Sequence, residues 1–369
     1  MEKTGMKRLS EMPKRIPYEG TFELTVRCNL HCKMCLFRHD DSENAEIKQK
    51  ELTSKQWISL AEQIAAAGTM HLLVTGGEPM LRSDFCEIWS GIYQYGFITE
   101  LYTNATLITP QIMKTLRKYP PNIIGITIYG ASSETYEKIC GNGDAFYRML
   151  EGIHMLQSLP SEIKYRTTII KDNVDDFFAI EELIHKEFNA KARITHTRLV
   201  TKAVRGGCAD VASCRLSAKD SFLLTEKSIF HWLRPYQKDL KQEPHLTYRY
   251  RQQPKPDRLT LFGCNAGMSS YTITWDGKLQ GCQILGAFSA NAMELGFKRA
   301  WEKFPYLVKL PPLSPICKKC ELKELCECCC AFRYAETGSL QGVPQYICEN
   351  TKIVNEVLKR SEKNERKKI

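Results

Sequence analysis

The chain has 369 residues, a formal charge of +10 and ordinary apolar and charged fractions. It lacks any apolar stretch of membrane-spanning length, and its first twenty residues lack the apolar core of a secretion signal, so a cytoplasmic location is expected. The basic segment Lys359–Lys368 reads as a solvated tail, and without an aromatic-interleaved basic motif neither nucleic acid nor a membrane is an expected partner.

Six strand-then-helix units can be followed from the N-terminus. The strands are expected at Thr21–Arg27, His71–Thr75, Ile98–Tyr102, Ile123–Tyr129, Lys164–Ile170 and Ala192–Leu199. Helices are expected near Ser54–Ala67, Asp84–Tyr95, Pro110–Lys118, Ser133–Ile139, Phe146–Leu156 and Val174–Phe188. Strands that are apolar on both faces and alternate with helices argue for a parallel sheet. Six such units predict an α/β fold, a partial or open (β/α)6 barrel, with its site at the C-terminal ends of the strands.

Residues 211–262 read as a bridging region, with a helix near Ser221–Leu233 and a polar connection at Gln252–Asp257. Residues 263–350 form a turn-rich second domain that would need metal to hold its fold. Residues 1–20 and the basic segment 351–369 are expected as tails flanking the 21–210 barrel.

Sixteen cysteines are the departure from an ordinary composition, and they are grouped. Three follow the first strand as CX3CX2C: Cys28, Cys32 and Cys35. Nine more lie between Cys264 and Cys348, which leaves Cys86, Cys140, Cys208 and Cys214 as candidates for small buried side chains. In a chain without export signals, such grouping points to metal or iron–sulfur centres. Three thiolates on a four-iron cluster leave one iron free to hold something else. The competing reading of the first group is a structural zinc site completed by His31 or His39, at spacings unusual for zinc.

The first group resembles the signature of the radical S-adenosylmethionine (SAM) family. The resemblance implies a [4Fe–4S] cluster on Cys28, Cys32 and Cys35 whose open iron chelates SAM. One electron then yields methionine and a 5′-deoxyadenosyl radical that abstracts hydrogen. Gly76-Gly77-Glu78-Pro79 ends the second strand and is similar to the family's GGE motif. There the glycines admit backbone close to the ligand and Glu78 meets the SAM ammonium. Met34, ahead of the third cysteine, is expected against the adenine, with plain loop packing as the alternative. Thr103-Asn104 and Tyr129-Gly130, at the ends of strands three and four, stand where relatives contact the ribose and carboxylate. Each is equally readable as a turn. Arg166 and Thr168 on strand five, and His196 and Arg198 on strand six, are weaker candidates for the barrel interior. Arg166 is assigned to SAM, His196 and Arg198 to catalysis.

The C-terminal cysteines carry a second resemblance. Cys264 precedes Gly277 by twelve intervening residues, and four more lead to Cys282. Cys317, Cys320, Cys326 and Cys330 follow as CX2CX5CX3C, and Cys348 comes seventeen residues later. This resembles the SPASM domain, which adds two auxiliary [4Fe–4S] clusters to radical SAM enzymes. By that resemblance Cys264, Cys282 and Cys330 hold the nearer cluster, and Cys317, Cys320, Cys326 and Cys348 the outer one. The nearer cluster is then short of one thiolate. Either it keeps an iron open to a substrate thiol, or Cys328 or Cys329 completes it. Asp276 is an acidic candidate base by analogy with sulfatase-maturating relatives, but Asp276-Gly277 reads more simply as a hairpin turn.

The architecture implies an enzyme, with a precursor-peptide maturase as the leading expectation. It would abstract hydrogen from a residue and install a thioether or carbon–carbon cross-link. A formylglycine-forming sulfatase maturase and a non-catalytic cluster scaffold are the alternatives. With only twenty residues before the first strand, the substrate leader is expected to bind a separate protein or to be recognised directly. A flavodoxin or ferredoxin is the expected reducing partner.

Overall fold

The computed structural model describes residues 14–188, 194–197, 199–233 and 261–366. Arg198 and the connection Gln252–Asp257 lie outside the described residues, as does the start of the expected sixth strand. Among the described residues one nine-stranded sheet has the order β6-β5-β4-β3-β2-β1-β7-β8-β9. The strands are β1 Glu19–Glu23, β2 His71–Thr75, β3 Ile98–Thr103, β4 Ile123–Thr127, β5 Glu162–Thr168, β6 Thr195–Thr197, β7 Ser270–Ile273, β8 Lys278–Gln280 and β9 Ser289–Asn291. All pairings from β6 through β1 to β7 are parallel, and β8 and β9 close as an antiparallel meander. This is the partial (β/α) barrel that the six units predict.

The expected first strand, Thr21–Arg27, is the one whose register moves most. It starts at Glu19 because Ser270 and His71 pair with that residue on its two sides. The ladder stops at Glu23 because β2 runs out at Thr75 and turns. Residues 24–27 are held against that turn through Leu24 N–H to Thr75 O at 2.8 Å and Gly77 N–H to Thr25 O at 2.7 Å.

The helices follow their local signals. α1, Asn44–Lys50, is a short helix that periodicity did not reveal, and α2, Ser54–Ala66, opens on a Thr53/Gln56 capping box. α3, Phe85–Tyr93, α4, Pro110–Lys118, α5, Ser133–Cys140, α6, Ala145–Leu156, and α7, Phe177–Phe188, complete the barrel crossovers. α4 begins with Pro110 at its first position, where a missing N–H costs nothing. The main core is one cluster running from Phe22, Trp57 and Trp89 to Tyr271, Phe297 and Phe304.

Two boundaries change. The cysteine-rich region is not set apart from the barrel, since β7 lies directly on β1 and Tyr271 Oη shares a 2.8 Å hydrogen bond with Thr69 of the β1–β2 crossover. The expected tail from residue 351 is instead part of a helix, Gln345–Arg366. Ile347, Thr351 and Val354 are buried at helical spacing, and Val354 packs on Phe222. Burial of that stripe, not charge, decides the conformation. Among the described residues no helix is long and apolar enough to cross a membrane.

Candidate functional site

The loop after β1, the turn after β2 and the ends of β3 and β4 meet at one end of the sheet. Cys32 is buried, and Cys28 and Cys35 are half-buried beside it. Burial first, then the negative charge of neighbouring thiols and Glu78, pushes Cys28 well above the ordinary thiol range. Cys32 is also pushed far up, first by its hydrogen bond to Cys140, whose sulfur lies 3.7 Å away, and then by burial. Cys35 rises to about 11 through burial. Three crowded thiols that resist ionisation together call for positive charge, which cluster iron supplies.

Glu78 is fully buried, and burial pushes its carboxyl up to about 7 against three opposing hydrogen bonds. The Asn104 backbone N–H donates to Oε2 at 2.8 Å, the Thr103 hydroxyl to Oε1 at 2.9 Å and the Met80 N–H to Oε1 at 3.2 Å. A carboxylate has about four acceptor positions, so roughly one is left for a ligand N–H. The two glycines before it are required by close approach. A Cβ on Gly77 would stand 2.4 Å from Arg27 O, and one on Gly76 would stand 2.5 Å from Thr25 O. Pro79 opens the short 3-10 turn that follows.

Other expected residues fall into place unevenly. Asn104 Nδ2 reaches Cys28 Sγ at 3.8 Å and Asn29 Oδ1 at 3.0 Å, joining the GGE pocket to the cysteine loop. Tyr129 hydrogen-bonds Cys32 and Met34 is buried in the main core. Gly130 packs against Thr135, and Thr168 ends β5. Arg166 lies with its guanidinium 4.2 Å over the Tyr102 ring, and Tyr102 alternates in face with Thr103. The structure therefore does not bring Arg166 to Glu78. His196 stands edge-on to Phe177 at 5.0 Å. Asp276 forms the expected turn, accepting from Thr274 Oγ1 at 2.6 Å and pairing with Lys278 at 2.6 Å, with Gly277 at φ +81°.

Sequence reasoning missed the supports. Arg27 and Arg82 both pair with buried Glu51, and Arg82 also donates to Leu24 O and Leu52 O. Arg205 pairs with buried Glu23 through both terminal nitrogens. Isolated charged residues far apart in the chain carry no spacing signal. Only the sheet brings them together.

In the cysteine-rich region the electrostatic coupling links the thiols in two sets. Cys329 and Cys330 are raised by burial first and by the charges of Cys282 and Cys264, with Cys330 reaching about 12. Cys348 is raised by burial first and by Cys326, Cys317 and Cys320. Cys326 instead falls to about 6, chiefly through a hydrogen bond from Cys328. Arg333 adds positive charge beside Cys317, Cys326 and Cys328. Among the described residues no three His, Cys, Asp or Glu side chains converge as a single metal ion requires. A cubane, by contrast, takes its thiolates at separate corners.

A family description, Radical SAM superfamily, matches residues 22–184. The AdoMet-dependent heme synthase of Methanosarcina barkeri strain Fusaro is 30% identical over 337 residues, covering 86% of this chain and 92% of that one. The Fe-coproporphyrin III synthase of the same organism is 26% identical over 333 residues, covering 83% and 81%. In fold, the chain is similar to Streptococcus suis SuiB bound to S-adenosylmethionine, with a TM-score of 0.66 at 15% identity over 94% of this chain and 80% of that one. It is also similar to anSMEcpe with bound AdoMet and a peptide, with a TM-score of 0.65 at 15% identity over 96% and 100%. The crowded thiols, the caged Glu78 and the full-length likeness agree: this chain is an enzyme of the radical SAM superfamily, whose cofactors are SAM and a [4Fe–4S] cluster.

Proposed function

We propose that the enzyme is a peptide maturase that removes hydrogen from a residue of a ribosomally made precursor and closes a thioether or carbon–carbon cross-link. The observation that carries this is that β7 and β8, which run between Cys264 and Cys282, extend the same sheet whose β1 leads into Cys28. Cys28, Cys32 and Cys35 would hold the radical SAM cluster. Cys264, Cys282 and Cys330, and Cys317, Cys320, Cys326 and Cys348, would hold the auxiliary clusters. When bound, SAM and its cluster supply a carbon-centred radical that abstracts hydrogen.

The chain's own residues bind and orient. Glu78 accepts the SAM ammonium, Gly76 and Gly77 let its turn pack against the backbone of residues 25–27, and Asn104 ties that pocket to the cysteine loop. Met34, Thr103, Pro79 and Tyr129 line its surroundings, and the buried core excludes water that would quench a radical. Cys329 is raised by the charges of Cys282 and Cys264 and itself raises Cys330, which supports Cys329 as a fourth thiol of the nearer group. That supports a closed cluster over one open to a substrate thiol. A precursor peptide, a separate leader-binding protein and a flavodoxin or ferredoxin belong to the same reading.

A second reading, a step of haem synthesis, is favoured by the 30% identity to the heme synthase over most of both chains. The deciding experiment is anaerobic incubation of reconstituted enzyme, SAM and reductant with candidate precursor peptides or an iron porphyrin. Loss of two hydrogens per link from a peptide supports the maturase. Turnover of the porphyrin alone overturns it.

A further inference from the structure

The cysteine loop is anchored on the end of helix α5, Ser133–Cys140. Gly141 caps that helix at φ +67°, in the left-handed region that favours glycine, and its N–H returns to Glu137 O. The carbonyls of Ile139 and Cys140 then have no donor within the helix. The cysteine loop supplies both. His31 N–H donates to Cys140 O at 2.9 Å, and Lys33 N–H donates to Ile139 O at 3.0 Å. These two bonds flank Cys32 and hold it against Cys140, with the two sulfurs 3.7 Å apart. Both side chains are buried, Cys140 completely.

The donors that reach the three loop thiols differ. Cys35 accepts from the backbone N–H groups of Phe37 and Arg38. Cys28 accepts from that of Leu30, with Asn104 Nδ2 at 3.8 Å. Cys32 meets two further side chains, the Tyr129 hydroxyl and the Cys140 thiol. One face of α5 supports both. Tyr136, one turn before Cys140, accepts the Tyr129 N–H on its hydroxyl at 3.3 Å. A cysteine gives up its proton when it holds iron, so across this contact only Cys140 S–H can donate once Cys32 is a ligand. With that S–H turned away, two sulfurs would face each other in a buried place with neither one satisfied.

We propose that Cys140 is a positioning residue for the radical chemistry: it acts through Cys32, its S–H donating to the cluster-bound thiolate and making the cluster easier to reduce. Reduction adds one electron from an external one-electron donor, and part of the added negative charge resides on the ligand sulfurs. A hydrogen bond to one of those sulfurs therefore stabilises the reduced cluster more than the oxidised one. No bond forms or breaks in this step, and the proton stays on Cys140. A small apolar side chain would fill the same space without this effect. The proposal rests on Cys32 as a cluster ligand and on neither reading of the substrate, so it holds for a peptide and for a porphyrin alike.

A potentiometric titration of full-length reconstituted enzyme tests this, monitored by the electron paramagnetic resonance signal that changes when SAM is added. Cys140→Ala is expected to keep the iron of that cluster and to make its one-electron reduction about threefold to tenfold less favourable, tenfold being about 59 mV. Cys140→Ser, which keeps a donor, should hold its midpoint at or above that of the parent. Cys140→Val fills the space without a donor and should follow Ala, which separates the lost bond from a packing change and serves if Ala does not fold. An unchanged or higher midpoint in Ala or Val, or a Ser midpoint that falls with theirs, overturns the proposal. So does loss of the cluster iron from both Ala and Ser, which would make Cys140 a ligand. In the parent enzyme the reduced cluster should show a proton hyperfine coupling that vanishes in D2O, and its absence overturns the proposal without any variant. Cys32→Ala that retains this cluster's iron would instead sink the ligand assignment beneath it.

Discussion

The backbone N–H of Asn104 donates to Glu78 Oε2 at 2.8 Å, tying the end of β3 to the turn after β2. This bond, with those from Thr103 and Met80, fixes the carboxylate before any ligand arrives. Preorganised acceptors of this kind act without further rearrangement.

The first prediction concerns that carboxylate. Glu78→Gln keeps the shape but removes the charge, and SAM affinity measured by equilibrium dialysis should fall roughly tenfold to a hundredfold. Its folded-state pKa, about 7, is raised from 4.5. The folded protein therefore holds an extra proton between those values, and the SAM-free fold loses stability as pH rises from 4.5 to about 7. Calorimetry of SAM-free protein above pH 7 should show the Gln variant melting higher. SAM binding to the parent enzyme should weaken as pH drops below about 7. A pH-independent affinity would contradict the assignment.

A second prediction tests the support beneath the site. Glu51 faces two arginines, Arg27 at 2.8 Å and Arg82 at 3.3 Å, with all three side chains largely buried. Glu51→Ala should cost about 3–5 kcal/mol in chemical denaturation, because it strands buried positive charge. A loss below 1 kcal/mol would show that the network is solvated.

Cys140 Sγ lies 3.7 Å from Cys32 Sγ, which makes ligand and neighbour hard to tell apart by proximity. Cys140→Ala should retain the iron and sulfide of the first cluster and the cleavage of SAM. Cys32→Ala should lose that cluster's iron and give no 5′-deoxyadenosine under reduction. If Cys140→Ala loses the cluster as well, the ligand set needs revision.

The nearer auxiliary group supplies the fourth prediction. If Cys329 completes the proposed nearer cluster, Mössbauer spectra of the parent enzyme should be unchanged by added small thiols. Cys329→Ala should expose an iron site that responds to them. A thiol-responsive site in the parent enzyme would restore the open-iron reading.

The cysteine spacings, the GGE turn and the alternation of apolar strands with helices are local, and a linear chain displays them whole. β2 and α4 begin and end where their residues indicate, because turn chemistry and Pro110 mark those ends. β1 does not, because its limits belong to its partners Ser270 and Thr75. Likewise the 351–369 segment reads as a charged tail until Val354 meets Phe222.

The sequence by itself determined the barrel and the short spacings that mark the radical SAM superfamily. It could do so because the chemistry demands particular residue types at fixed short spacings. Only the tertiary structure decided that β7 of the cysteine-rich region shares the barrel's sheet and that Arg205 pairs with Glu23. Those relations are between residues far apart in the chain, where burial and pairing across the sheet, not local spacing, set the neighbours.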